Sequence, residues 1–251
     1  MPTPDDVADD TLDADAGLVV GIPLASTRVP LDRARIVAAA IDFIDEHGLP
    51  LLTMRRLGTV LGVEAMSLYR YVPGKEDLLD AVVDALIDKM AQDDGVLTAP
   101  RDGWQDFLQR LSHGVRRVAL EHPKAFPLVA SRPPEAPWLR PPLRSLDWVE
   151  WFLAGLIQEG FTEEAAVAGY RAFTSFLLGH LLLEVSSLGA DIGPADVLDD
   201  NTGKDPAPGE HPNAHRLRRS LTEDHAAIEF DEALEELLER MALIRSEHTD
   251  G

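Results

Sequence analysis

Apolar side chains recur at three- and four-residue intervals through most of this chain, a period that predicts helices. The first helix is expected from Asp32 to His47, with Ile36, Val37, Ala40, Phe43 and Ile44 on one face. Asp32 suits its N-cap, where a carboxylate accepts from free N–H groups and meets the positive end of the helix dipole. Gly48 and Pro50 end it. Thr53 caps a second, short helix carrying Leu57, Val60 and Leu61, and Gly62 follows where a left-handed residue would stop it. A third helix is expected over residues 65–71, short and polar. In it Leu68 turns back toward the second helix while Ser67, Tyr69, Arg70 and Tyr71 turn outward. Pro73 and Gly74 make a turn, and a longer helix begins near Lys75. Its positions Leu78, Leu79, Val82, Val83, Leu86, Ile87 and Met90 form a stripe wide enough to lie between two bodies of protein.

Residues 92–101 read as a linker. Trp104, Phe107, Leu108, Leu111, Val115, Val118 and Leu120 then trace a helix that ends before Pro123. Seven prolines between 123 and 142 exclude one regular helix there. A helix resumes over 143–159 with Trp148, Trp151, Phe152 and Leu156. Another, over 162–187, carries Tyr170, Phe173, Phe176, Leu177, His180, Leu181, Leu182 and Leu183, and near its end it is apolar on nearly all sides, so several neighbours must cover it. Residues 188–215, rich in Gly, Pro, Asp and Asn, predict a long flexible loop. The last helix, over 225–245, sets Phe230, Leu234, Leu237, Leu238, Met241 and Ile244 against a glutamate-rich face. The fold class is therefore all-α. It divides into an N-terminal three-helix domain (28–75), a connecting helix (76–92) and a larger helical C-terminal domain (93–247).

Composition narrows the setting. The chain has 251 residues, 45% of them apolar, and no apolar run approaches the ~20 residues of a membrane span. It lacks cysteine, which excludes disulfides and thiol chemistry, and residues 1–27 lack the pattern of a signal peptide. A cytoplasmic location away from membranes is the expectation. Residues 1–27 hold six aspartates and no Lys or Arg, and read as a disordered acidic arm.

Net charge is −21, which would argue against a nucleic-acid partner if it were spread evenly. It is not. From residue 28 to 75 seven basic residues (Arg28, Arg33, Arg35, Arg55, Arg56, Arg70 and Lys75) oppose five acids, leaving +2. The second and third helices, joined at Gly62, have the layout of a helix-turn-helix, whose second helix enters the DNA major groove. A plain helical hairpin with surface aromatics fits the spacing too; the basic flanks favour double-stranded DNA. Arg55 is the best candidate for a base contact, since a guanidinium pairs with guanine O6 and N7. Ser67, Tyr71 and Ala65, the last through a thymine methyl, come next. Thr53, Tyr69 and Lys75 suit phosphates, and Arg33, Arg35, Arg56 and Arg70 add positive charge beside them.

These residues also carry a resemblance. Ile36 through Ala40 with His47-Gly48, then Leu52-Thr53-Met54-Arg55-Arg56-Leu57, Leu61-Gly62-Val63, Leu68-Tyr69-Arg70-Tyr71 and Lys75-Glu76-Asp77-Leu78-Leu79, resemble the DNA-binding domain of the tetracycline-repressor (TetR) family in order and spacing. The resemblance continues through Gly103-Trp104-Gln105-Asp106-Phe107-Leu108, Gln158-Glu159-Gly160-Phe161 and Phe176-Leu177-Leu178-Gly179, toward the tetracycline-repressor branch. It implies a homodimer whose last two long helices pair with their mates in a four-helix bundle. It further implies a palindromic operator and a small-molecule effector bound in the C-terminal domain that releases DNA. Activation in place of repression stays open.

Phe107, Trp148, Trp151, Phe152, Tyr170, Phe173 and Phe176 are candidates to line an effector chamber, with His113, His180 and Glu184 as polar contacts. Core packing explains each aromatic singly; the hint of a pocket lies in their number. The resemblance implies a magnesium–tetracycline chelate held by a histidine just before a Thr-Arg-Pro turn. Here the run is Phe126-Pro127-Leu128-Val129-Ala130-Ser131-Arg132-Pro133, with Leu128 or Val129 at that place. Neither can ligate a metal, so magnesium–tetracycline binding of that mode is not expected. No other metal or cofactor is expected: the eight histidines are scattered, and His211 and His215, though spaced as ligands, fall in the expected loop. No phosphate loop, dinucleotide fingerprint or Gly-x-Ser-x-Gly occurs, so an enzyme is not expected. A helical small-molecule carrier without DNA binding is the main alternative; a hydrolase would need a nucleophile–base pair that the sequence does not display.

Overall fold

The computed structural model describes residues 30–92, 96, 99–192 and 211–247. Among them are ten α-helices and no strand. The acidic arm over 1–27 and Arg28 lie outside the described residues, as does most of the expected 188–215 loop. The described residues from Asp32 onward make one compact unit.

Helix α1 (Arg33–His47) starts where expected, with the Asp32 carboxylate accepting from Arg35 N at 2.8 Å. It buries Ile36, Val37, Ala40, Ile41, Phe43 and Ile44 and stops at Gly48, whose φ of 84° only glycine takes without strain. Pro50 sits in a single 3-10 turn, Leu49–Leu51. Helix α2 (Met54–Leu61) is capped by Thr53, whose Oγ1 accepts from Arg56 N at 3.2 Å. It ends at left-handed Gly62. There Val63 N donates to Gly58 O and Gly62 N to Thr59 O, so two of the helix's last four carbonyls are satisfied and the turn is tied back to the helix. Val60 departs from expectation: it is 59% exposed, and Met54 with Gly58 joins Leu57 on the buried face instead.

Helix α3 is Ala65–Leu68 alone, shorter than the 65–71 expected. Residues 69–71 turn on with Tyr71 N and Val72 N both donating to Leu68 O. Leu68 and Val72 are buried and anchor this turn. Helix α4 (Lys75–Gln92) packs against α1, α5 and α6. Then follow α5 (Trp104–Glu121), the five-residue α6 (Pro127–Ser131), α7 (Leu146–Gln158) and α8 (Glu163–Ser187). Helix α8 is the core helix of the second half, packing on α5, α7 and α10 (Ala226–Glu247). By length and composition it could cross a bilayer, yet it starts with Glu163 and Glu164, buries ten residues and encloses the charge of Glu184.

One helix was not expected. Helix α9 (Pro212–Leu221) lies partly within the stretch read as loop. Pro212 stands in its first turn, where the missing N–H is no loss and the fixed φ helps. His211 is its N-cap and His215 N donates to His211 O, so the two histidines do occupy a helix start, contrary to expectation.

Candidate nucleic-acid interface and the cavities behind it

Two short helices and a turn set the outward face. Gly58 lets α3 approach α2 closely: a Cβ there would lie 2.9 Å from Val63 O and 3.2 Å from Ala65 N. Exposed on this face are Thr53, Arg55, Arg56, Met66, Tyr69, Arg70 and Tyr71, with Ala65, Ser67 and Lys75 partly exposed. Arg33 is exposed and Arg35 partly so, both in the first turn of α1. Lys75 is the first residue of α4, where free backbone N–H groups and the helix dipole favour an anion. Arg56 is less free than its exposure suggests, because its Nη1 donates to Leu51 O at 3.0 Å. Met66, absent from the expected set, projects furthest of the α3 side chains.

Behind this face α4 runs into two small apolar cavities. The larger, about 30 Å³, is lined by Ile87 and Met90 of α4, with Val115, Val129, Leu143, Ser145, Trp148, Phe173 and Thr174 among the rest. The smaller, about 10 Å³, lies among Ala91, Val96, Phe107, Leu111, Trp148, Trp151 and Phe152. Trp148 stands in both linings and divides them, held by Ser145, whose Oγ accepts from Trp148 N at 3.2 Å. These volumes admit a water molecule or two, whereas a drug-sized ligand needs several hundred Å³. In this conformation the aromatic cluster leaves no room for a drug-sized ligand.

Of the expected chamber residues, Phe107, Trp148, Trp151, Phe152 and Phe173 line these cavities. Tyr170 does not. It packs edge-on against Phe152 and its hydroxyl donates to Pro141 O at 2.8 Å, and burial pushes its phenol up to about 12. His113, His180, Phe176 and Glu184 do not line them either. Both imidazoles pack on Phe230 of α10, at 5.7 and 5.2 Å between ring centres, as does the Phe176 ring. Arg116 lies over the same ring and pairs with Glu184. Sequence periodicity set these residues on the right helices but could not show which neighbour each face meets.

Of Leu128 and Val129, the two residues at the place the resemblance gives to a metal-binding histidine, both are buried and Val129 is part of the larger cavity's wall. Among the described residues no group of three or more His, Asp or Glu could hold a metal ion. The residues present do not fit a magnesium chelate there.

Two polar junctions tie the face to this second half, and neither was foreseen. On α1, the Asp45 carboxylate accepts from His122 Nδ1 at 2.7 Å and from the backbone N–H of Lys124 and Ala125. Lys89 of α4 reaches His122 Nε2 and Glu121 from the other side. On α4, Glu76, Asp80 and Asp84 meet Arg132 and Arg144 from the proline-rich segment after α6. The signal in the sequence is a row of acids on α4 at four-residue spacing, of which these are three.

The family models decide the kinship. Residues 36–82 match the model of bacterial regulatory proteins of the tetR family, and residues 98–242 match the tetracyclin repressor-like C-terminal domain. The chain belongs to the TetR family. Among curated relatives, an HTH-type transcriptional regulator of Saccharopolyspora erythraea is 31% identical over 158 residues, 63% of each chain. The HTH-type transcriptional repressor DrrR1 of Streptomyces coeruleorubidus is 29% identical over 157 residues, 62% of this chain and 55% of that one. The match thus spans between about half and two thirds of those relatives' length. The solved structure of a possible TetR family transcriptional regulator from Streptomyces coelicolor A3(2) superposes with a TM-score of 0.65 at 28% identity. It covers 85% of this chain and all of its own. In TetR terms, the α2–α3 pair is the helix-turn-helix, and α4 joins it to the C-terminal domain.

Proposed function

We propose that this protein is a homodimeric, ligand-responsive transcriptional regulator, a repressor that an apolar effector releases from a palindromic operator. The observation that carries it is the α2–α3 turn presenting Arg55, Ser67, Tyr69 and Tyr71 outward on a basic face, in a chain otherwise strongly acidic. In this assignment residues 28–75 form the reading head, 76–92 the connecting helix and 93–247 the effector-binding and dimerisation domain. Arg55 reads a base, with Ser67, Tyr71 and Ala65 beside it, while Thr53, Tyr69 and Lys75 hold phosphates.

A dimer is supported by apolar side chains that α8 and α10 leave uncovered in the single chain. Leu183 is 70% exposed, and Ile228 and Leu243 are exposed too. One four-residue helix reads few bases, whereas two heads about one DNA turn apart read a specific site. The release mechanism is supported by Ile87, Met90 and Ala91, through which α4 itself forms part of both cavity walls. A ligand there acts only so far as it binds the DNA-free conformation more tightly than the DNA-bound one.

Selection from a random DNA pool, followed by titration of the recovered site, tests this. Arg55→Ala should relax specificity at one base of each half-site, at a cost of about 1–3 kcal/mol. Lys75→Ala should weaken all sequences alike and lower the slope of affinity against salt by about one. Recovery of no enriched sequence would refute the proposal.

A further inference from the structure

Four acids stand on α4 at four-residue steps: Glu76, Asp80, Asp84 and Asp88. Like charges at that spacing repel along a helix, so such a stripe is disfavoured unless cations meet it. Two do. Arg132 donates from Nε to Asp80 Oδ1 at 2.8 Å and from Nη1 to Glu76 Oε2 at 2.6 Å. Arg144 donates from Nε to Asp84 Oδ1 at 2.9 Å, and its Nη1 lies 3.4 Å from Asp80 Oδ1. Asp80 is therefore shared by both guanidiniums. Arg132 is 14% exposed, Arg144 18% and the shared Asp80 31%, so the contacts at Asp80 are partly sheltered from water, while Glu76 and Asp84 stay exposed.

The position of the arginines in the chain gives the clamp its meaning. Val129 precedes Arg132 by one helical turn, and Leu143 and Ser145 flank Arg144 directly. All three of those neighbours line the larger cavity. One side of this segment is cavity wall, and the other is fastened to α4.

We infer that Arg132 and Arg144 act as positioning residues that clamp α4 to the cavity wall through Asp80, so that wall and helix move together and the spacing of the two reading heads is set by the wall. The inference rests on the proposed function. A wall displaced by a ligand must either carry α4 along or strip Glu76, Asp80 and Asp84 of their partners and leave them repelling one another. Coupling of two sites needs such an element, held in one of two arrangements that both sites bias.

The test measures spacing preference. Operators recovered by selection are remade with the half-sites one or two base pairs closer or further apart, and binding is read by fluorescence anisotropy for the full-length wild type, Asp80→Asn and Arg144→Gln. The wild type should favour the recovered spacing, and each variant should lose about fivefold of that preference. Both affinities in the ratio come from one preparation, so partial unfolding cancels. The charge removed from α4 also cancels, because it alters binding to every spacing alike. A wild type that discriminates spacing beside variants that discriminate equally well overturns the clamp and leaves the regulator proposal intact. A wild type indifferent to spacing overturns the clamp too. A wild type that binds no selected DNA overturns the regulator proposal, and the clamp with it.

Discussion

Gly58 sets two effects of opposite sign against each other. It lies in mid-helix, where alanine is ordinarily favoured over glycine by about 0.8–1.0 kcal/mol. On propensity alone, Gly58→Ala should stabilise. The added methyl, however, would sit 2.9 Å from Val63 O and 3.2 Å from Ala65 N, both backbone atoms. Neither can swing aside as a side chain would, because Val63 N is itself bonded to Gly58 O at 2.9 Å. The turn must open by about half an ångström to restore ordinary contact, and overpacking of this kind costs about 1–3 kcal/mol. The clash wins, leaving the variant about 1 kcal/mol less stable. For a domain of this size that lowers the melting temperature by about 2–4 °C. The shifted α3 should also weaken operator binding by about fivefold, the equivalent of one impaired base contact. Calorimetry and anisotropy titration of the same sample measure both. A variant that melts higher than wild type and binds DNA equally well would show that α2 and α3 are not held at the observed approach.

Tyr170 predicts an alkaline effect. Its phenol is raised from 10 to about 12 by burial, so the folded state prefers it neutral. The stability it contributes is fully present below pH 10 and is lost as pH rises toward 12. Ultraviolet titration should show one phenol ionising near pH 12 that is missing in Tyr170→Phe. Trp148→Ala should merge the two cavities at a cost of about 3 kcal/mol in denaturant unfolding, and should increase binding of an apolar fluorescent dye. Dye binding equal to wild type would mean that Trp148 is not the partition.

The parts of the fold legible in the sequence are those encoded within a few residues. Asp32, Thr53 and Gly62 announce their caps because a cap involves only its own turn. The buried face of α1 follows from one unbroken 3.6-residue period. Helix α9 escaped because its neighbours are rich in Gly, Pro and Asp, although Pro212 and the Leu217–Leu221 spacing fit a helix. What the period could not carry is the choice between neighbours on a helix that is apolar all round. His113 and His180 face Phe230 rather than the cavities, and that depends on where α10 returns, about fifty residues after His180 and more than a hundred after His113. Val60 was placed in the core by spacing, but α2 has only one partner face, which Gly58 and Leu57 occupy. The ion pairs of Arg132 and Arg144 with α4 stayed hidden because the partners lie more than fifty residues apart, and arginines in a proline-rich segment carry no local periodicity.

The small volume of the cavities around Trp148 has a quantitative consequence for any sensor built on them. A ligand that fits only an opened chamber binds with an affinity reduced by the fraction of molecules that are open. Each 1.4 kcal/mol of opening cost raises the ligand concentration needed for a response by a factor of ten. The response threshold is then set partly by how well Phe152, Phe173 and Trp148 pack in the empty protein, apart from any contact they make with the ligand. Substitutions that loosen this cluster would make the protein more sensitive to the same compound, and tighter packing would make it deaf to trace amounts.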